Sequence, residues 1–464
     1  MLRRDFIKTM LASGMFCSTG VLPLLGRVAN AAGFPAIGGR VLVNIMLSGG
    51  PDMRHLLPPE FNPDVNSYGY SYWKAKAEAH SIAQSTAEYQ SRWDNDYYHI
   101  DGVVNKFGIL KKCGWLKRMW DAGNVAVISN AIGGDTRNHS HCRAVMNQGN
   151  IDSKLNDLER SGWGGRLAAY SGGNVVALTR TPEPFAYGPH PYDHDKHDNR
   201  NLVGAGNTRD MTLYNVNDPL SESNSAQLSR SLSAYYAALG ESVSGGSIYS
   251  ALIELEHQIR AFGEPIDDRL ATVPVPDSIT GLINGVLSDP NIGEQIRNLH
   301  DCYVCSDILS MRVASLAVDG WDTHTRQRDV IEPKLEDLFG DGKALDVLYQ
   351  ELSQDAIDNT VFVIGGEFGR QLCANGGNGT DHGSGTSILI IGTAVQGGIY
   401  GDMFPEDELN IMHEPSPEIV GLTTVDSIYK VISDWVQPGA GNTVIPYSSG
   451  SLVEENVSLN ALFI

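Results

Sequence analysis

Short apolar runs that stop on glycine and pass straight into acidic or imidazole side chains recur along this sequence, and they restrict its fold more than any other feature. Val361–Ile364 ends in Gly365-Gly366 and is followed by Glu367, with Arg370 three residues on. Val41–Leu47 ends in Ser48-Gly49-Gly50-Pro51 and is followed by Asp52. Val125–Ser129 leads into Gly133-Gly134-Asp135-Thr136-Arg137-Asn138-His139-Ser140-His141, and Arg312–Val318 leads into Asp319-Gly320-Trp321-Asp322-Thr323-His324. A run that is apolar on both sides and bounded by breakers reads as a strand covered on both faces, as in a parallel sheet between helical layers. Val175–Leu178 and Ser387–Ile391 read as further strands. The expectation is an α/β fold, a doubly wound and mostly parallel sheet sandwiched by helices. Ligands of such sheets bind beyond the carboxyl ends of the strands, where these acidic and imidazole groups fall.

Helical periodicity predicts helices near Phe107–Ala122, from the loop at 136–141 through about Gln148, from Gly162, over Ser247–Phe262 and Glu294–Leu309, and from Thr424 to before Pro438. Asn62 to Gly102 is rich in Tyr, Trp, Ser and Asn with little periodicity, and reads as a surface excursion able to shape a substrate entrance. A second insertion spans about 181–245. Its segment His190-Pro191-Tyr192-Asp193-His194-Asp195-Lys196-His197-Asp198 concentrates metal-binding side chains in a polar loop without a rigid frame, and reads as solvated surface. The reading is one domain over 40–464 carrying these two insertions.

Residues 1–31 stand apart. Arg3-Arg4-Asp5-Phe6-Ile7-Lys8, a weakly apolar stretch and Ala29-Asn30-Ala31 compose an export signal that resembles the twin-arginine type, with Leu2 where that motif usually has Ser or Thr. Pro23 and the polar residues around it make a poor bilayer span, so no stable membrane insertion of the mature chain is expected. With 34 basic against 55 acidic residues and a net charge of −21, the chain repels nucleic acid and anionic membrane. Of its 6 cysteines, Cys302 and Cys305 are expected as buried free thiols, because a Cys-x-x-Cys in a helical pattern is strained as a disulfide.

The strand-end groups, together with the Asp381-His382 pair delivered by a glycine-rich loop at 375–380, form a candidate site. Asp52, Asp322, His324, Glu367, Asp381 and His382 are hard or borderline ligands without a thiolate cluster, a set that suits Zn²⁺, Mn²⁺ or Mg²⁺. One or two such ions polarise an ester oxygen and activate a nucleophile. Arg370 would clamp a tetrahedral anion. Thr136 is a nucleophile candidate, and a hydroxyl at a helix start is equally an N-cap.

These residues resemble an uncharacterised, twin-arginine-exported branch of the alkaline phosphatase and sulfatase superfamily. The resemblance rests on LVNIMLSGGPD at 42–52, TRNH at 136–139, GW-x-GR at 162–166, GWDTH at 320–324, EFGR at 367–370, GTDHG at 379–383 and TTVDSIY at 423–429. It implies an alkaline phosphatase-like sandwich, a metal site built from the six ligands named above, and Thr136 as nucleophile. Several positions depart from the pattern. Glu367-Phe368 stands where the superfamily usually has Asp-His, and Asp322-x-His324 is more closely spaced than usual. Met53, His55 and Asn138 replace residues usual in close relatives. Three outcomes stay open: a metal shell rebuilt with His55, His139 or His141, a single ion, or a degenerate site. The expected function is an exported, periplasmic metal-dependent hydrolase acting on a small anionic phosphate or sulfate ester. The alternative is a non-catalytic metal-holding or binding protein on the same scaffold. The expected partners are the twin-arginine export machinery and no nucleic acid.

Overall fold

The computed structural model describes residues 38–134, 136–153, 160–179, 181–190, 197–198, 201–210, 231, 234–235, 238–239, 263, 265–446 and 450–464. The export-signal segment 1–31, the helix expected over 247–262 and most of the 181–245 insertion lie outside these residues, as do Asp193, His194 and Asp195 of the His-rich segment.

Among the described residues a nine-stranded sheet forms the centre. Its strands are β1 (Val41–Ser48), β2 (Val125–Ile132), β3 (Asn174–Ala177), β4 (Leu202–Gly204), β5 (Met311–Asp319), β6 (Thr360–Gly365), β7 (Gly385–Ile391), β8 (Gly398–Tyr400) and β9 (Thr423–Thr424). The spatial order is β8-β2-β7-β6-β1-β5-β3-β4, with β9 also on β2. Every pairing is parallel except those of β7, which runs antiparallel to β6 and to β2. The mixed α/β architecture with a large, mostly parallel sheet flanked by helices is therefore present.

Alternation along each strand divides the core in two. Val41, Val43, Ile45 and Leu47 face one layer with Phe362, Ile364, Leu389 and Ile391. Leu42, Met46, Val361, Val363, Ile388 and Ile390 face the other. Helices α1 (Tyr68–Lys76), α2 (Thr86–Asp96), α3 (Gly114–Asp121), α6 (Pro290–Val304) and α7 (Gln327–Phe339) cover the first face. Helices α4 (His139–Gln148), α5 (Trp163–Tyr170) and α8 (Val425–Val436) cover the second. Because both faces are buried, the strands have no polar side, which is why they read as continuous apolar runs.

Two sequence expectations need correction. Phe107–Leu110 is not the first turn of a helix but a strand paired antiparallel with Tyr97–Ile100. The apolar spacing at Trp115, Leu116 and Met119 needs a helix only from Gly114, and α3 starts there. The stretch 62–102 is not a surface excursion either. Its Tyr72, Trp73, Trp93 and Tyr97 are buried in the core, and it carries Lys76 and Arg92 inward with them. Buried charges must be paired. Lys76 Nζ stands 2.6 Å from Asp52 Oδ2, and Arg92 contacts Glu332. His55 Nε2 and Arg328 Nε reach the same Glu332 oxygen at 3.1 and 3.2 Å. Cys302 and Cys305 are buried and free, as expected. No helix among the described residues is long and apolar enough to cross a membrane.

Burial works to raise the Glu332 carboxyl, but the hydrogen bond and charge of His55, with Arg92 and Arg328, hold it far below its ordinary value of 4.5. A carboxylate held low in the folded chain contributes stability that is complete above the unfolded value and is lost as pH falls through the folded one. Glu332→Gln is therefore expected to cost about 3 kcal/mol at neutral pH and to make urea midpoints less sensitive to acidification below about pH 5 than those of the parent chain.

Candidate metal centre

The carboxyl ends of β1, β2, β5 and β6 open onto one rim. His139, Asp322 and Glu367 follow the ends of β2, β5 and β6. His382 precedes β7 and still reaches this rim, because an antiparallel strand begins where its parallel neighbours end. Chain direction alone thus brings groups from distant segments together.

At the middle stands Asp322. Its Oδ1 lies 2.9 Å from His382 Nε2 and 3.1 Å from His324 Nε2, and its Oδ2 lies 3.6 Å from His139 Nε2. His139, Asp322 and His382 offer ligand atoms that all lie within 4.8 Å of one another. His324 joins them through His382, the two Nε2 atoms standing 3.0 Å apart. Each ring is turned by what its other nitrogen meets. His139 Nδ1 is 2.8 Å from Glu367 Oε1, His324 Nδ1 is 2.8 Å from Asp381 Oδ1, and His382 Nδ1 is 3.1 Å from the Arg137 carbonyl. All three partners are acceptors, which suits a proton on each Nδ1 and leaves each Nε2 able to turn a lone pair to a cation.

Lone pairs facing each other and a carboxylate across about 3 Å repel unless protons or a cation lie between them. At His382, burial holds the imidazole below its ordinary value, against the Asp322 carboxylate, which as an acceptor favours the charged form. Two ligands about 2.1 Å from one ion stand about 3.0 Å apart at a right angle and about 3.4 Å apart at the tetrahedral angle, and the His324 and His382 nitrogens, 3.0 Å apart, fall at the near end of that range. Backing a ligand imidazole by an acceptor on its second nitrogen is also the usual arrangement around a metal. The donor set fits one divalent cation.

The surrounding frame is closely packed. Gly49 has φ +123°, and a Cβ there would stand 2.4 Å from the Asp322 amide nitrogen. A Cβ on Gly379 would stand 2.3 Å from the His324 carbonyl carbon. Phe368 packs against both His139 and His382 with ring centroids 4.7 Å away. The opposite side is open, with the Asp322 and His324 side chains 45% and 43% exposed.

The predicted site residues separate into three groups. Asp322, His324 and His382 converge as expected. Glu367 and Asp381 stand one bond behind, holding His139 and His324, and Glu367 also accepts from the Gly49 amide at 3.0 and 3.1 Å. Asp381 is held below its ordinary value by the Asn375 amide, and by His324. Asp52 and Arg370 lie elsewhere in the arrangement. Asp52 is 4% exposed and paired with Lys76. Burial works to raise its carboxyl, but Lys76 and His55 keep it below the ordinary value. Arg370 is no open anion clamp, since its side chain is 0% exposed. It donates to the carbonyls of Gly50, Thr380 and Trp321 at 2.7, 3.0 and 3.0 Å, to Asp322 at 2.7 Å, and to the Gly49 carbonyl. Although partial burial works to raise the Asp322 carboxyl, the hydrogen bond and charge of Arg370 hold it down at about 2. Thr136 is partly exposed in the loop before α4; its hydroxyl is 3.4 Å from the Asn138 amide and 3.7 Å from Cys142 Sγ. Asn138, not Thr136 or Ser140, caps α4.

His139 was only one of three candidates for a rebuilt shell, and its signal was its place after a strand end. His55, another of them, is buried against Glu332 instead.

Comparison with known proteins adds one finding. A DUF1501 domain, described as a protein of unknown function, is found over residues 309–416. It spans Asp322, His324, Glu367, Arg370, Asp381 and His382, while His139 and Asp52 lie outside it. No curated protein matches the chain.

Asp322→Ala and His382→Ala are each expected to lower bound zinc or manganese from one ion per chain to near zero, measured by elemental analysis after gel filtration, with the circular dichroism spectrum unchanged. Arg370→Ala should instead lower folding stability by about 3 kcal/mol or more in urea titrations, because it strands buried carbonyls and removes the charge that holds Asp322.

Proposed function

We propose that the chain is an exported metal-dependent hydrolase of phosphate or sulfate esters, working with one divalent ion held by His139, His324, His382 and Asp322. The observation that carries this reading is the set of inward-turned Nε2 atoms around a carboxylate that is half exposed. Structural metal sites are closed, whereas the Asp322 and His324 side of this one is open to solvent, so water or an ester could still reach an ion held there. A donor set rich in imidazole favours Zn²⁺ over Mn²⁺ and Mg²⁺, which suit oxygen ligands. The ester class and the export route are carried by the resemblance to the alkaline phosphatase and sulfatase superfamily and by the arginine pair near the amino terminus.

When bound, the ion supplies Lewis acidity at the ester oxygen and lowers the pKa of water. The chain's own part is orientation. Glu367, Asp381 and the Arg137 carbonyl accept from the Nδ1 side of the rings, so the Nε2 atoms stay directed at the centre. Phe368 covers one side, leaving approach from the open side. The Thr136 hydroxyl meets an amide and a sulfur, with no imidazole or carboxylate beside it to take its proton among the described residues, so this reading assigns attack to water.

A second reading, a metal-holding protein without turnover, has one observation in its favour. The arginine expected to clamp the substrate anion is buried and bound to backbone carbonyls. The two readings separate in one assay: zinc- or manganese-loaded chain is offered chromogenic phosphate and sulfate esters, with and without chelator. The hydrolase reading expects turnover that chelator removes and Asp322→Ala abolishes. One tightly held ion with no turnover on any ester establishes the metal-holding reading in its place.

A further inference from the structure

Behind the centre, one fully buried amide joins both ligand-bearing loops to the Asp52–Lys76 ion pair. Gln327, at the start of α7, is 0% exposed. Its Oε1 accepts from the Thr380 hydroxyl at 2.5 Å and from the Thr323 hydroxyl at 3.2 Å. Thr323 sits between Asp322 and His324, and Thr380 directly precedes Asp381 and His382. The loops also meet through the Thr380 amide and the Thr323 carbonyl at 3.1 Å. On its other side, Gln327 Nε2 donates to Asp52 Oδ2 at 2.8 Å and lies 3.5 Å from His55 Nδ1.

A side-chain amide has one accepting and one donating end, and its surroundings decide which points where. Asp52, ionised beside the Lys76 ammonium, can only accept. It therefore draws Nε2 towards itself and turns Oε1 to the two threonines, which must then donate to one shared atom. That shared acceptor sets the distance between the loop that carries Asp322 and His324 and the loop that carries Asp381 and His382. Neither Asp52 nor Lys76 belongs to the metal shell, yet both decide the direction of this amide. The burial of an acidic strand-end group and of a lysine from the 62–102 insertion thereby acquires a purpose.

We propose that Gln327, oriented by Asp52 and Lys76, is a positioning residue that sets the affinity of the centre for its metal. This rests on the reading of the centre given above as a metal site. Outer groups that orient ligands typically change metal affinity by about 10–100-fold.

The test is a zinc titration of the full chain against a chromogenic chelator, beside thermal unfolding of the metal-free protein. Parent, Gln327→Ala, Gln327→Glu and the pair Asp52→Asn/Gln327→Glu are compared. Gln327→Glu sets two carboxylates against each other, while the pair restores a donor opposite an acceptor, with Asn donating to Glu. The expected result is about tenfold or greater loss of zinc affinity in both single variants, recovery to within about threefold of the parent in the pair, and metal-free unfolding temperatures that do not follow the affinities. Unchanged affinity in the single variants overturns the proposal. So does a loss that the pair fails to recover, or one that tracks the unfolding temperature. Should the parent take up no zinc or manganese, the reading of the centre fails first and this inference with it. Uptake by the parent with no response at Gln327 removes this inference alone.

Discussion

A single buried guanidinium gathers the ends of three strands. Arg370 donates to the carbonyls that follow β1 at Gly49 and Gly50, to the Trp321 carbonyl that follows β5, and to the Thr380 carbonyl of the loop before β7, and it still reaches the Asp322 carboxylate. Strand ends leave carbonyls without ladder partners, and buried ones must be satisfied. A planar group with donors in fixed directions answers several of them at once. The same contact fixes the carboxylate around which the imidazoles assemble. Architecture and chemistry meet in this residue, which is why it has no exposure left for a substrate.

Around that point the acidic groups take different work. Asp322 faces the imidazoles, Glu367 and Asp381 stand behind them, and Asp52 faces a lysine. Their identity as carboxylates does not determine these roles. Depth sets two of them: Glu367 and Asp52 are 1% and 4% exposed, whereas Asp381, as exposed as Asp322, stands behind because it meets His324 at Nδ1. A carboxylate that deep needs its own cation or a ring of donors, and finds them in Lys76 and Gln327 for Asp52 and in Gly49 and His139 for Glu367. The open position falls where the side chains are only partly covered.

The strands were legible because burial on both faces leaves no polar alternation to confuse them. Val41–Ser48, Val125–Ile132, Met311–Asp319 and Thr360–Gly365 lie within two or three residues of where apolar runs and glycines put them. The antiparallel direction of Gly385–Ile391 was not legible, since an apolar run carries no mark of its orientation. The convergence of Asp322, His324 and His382 followed from the strand-end pattern. Which carboxylates would coordinate did not. That depended on Lys76, a residue in a stretch without clear periodicity, which tertiary packing draws against Asp52. His139 lay in view but in competition with His55 and His141. Only the register of α4 against Glu367 distinguishes it.

The most direct test is X-ray absorption spectroscopy at the zinc edge of the metal-loaded chain. The account predicts a first shell of imidazole nitrogens at about 2.0–2.1 Å, with the multiple scattering of three rings and one carboxylate oxygen, and loss of one ring's contribution in His139→Ala. A shell of oxygens alone, or one that His139→Ala leaves unchanged, would contradict it.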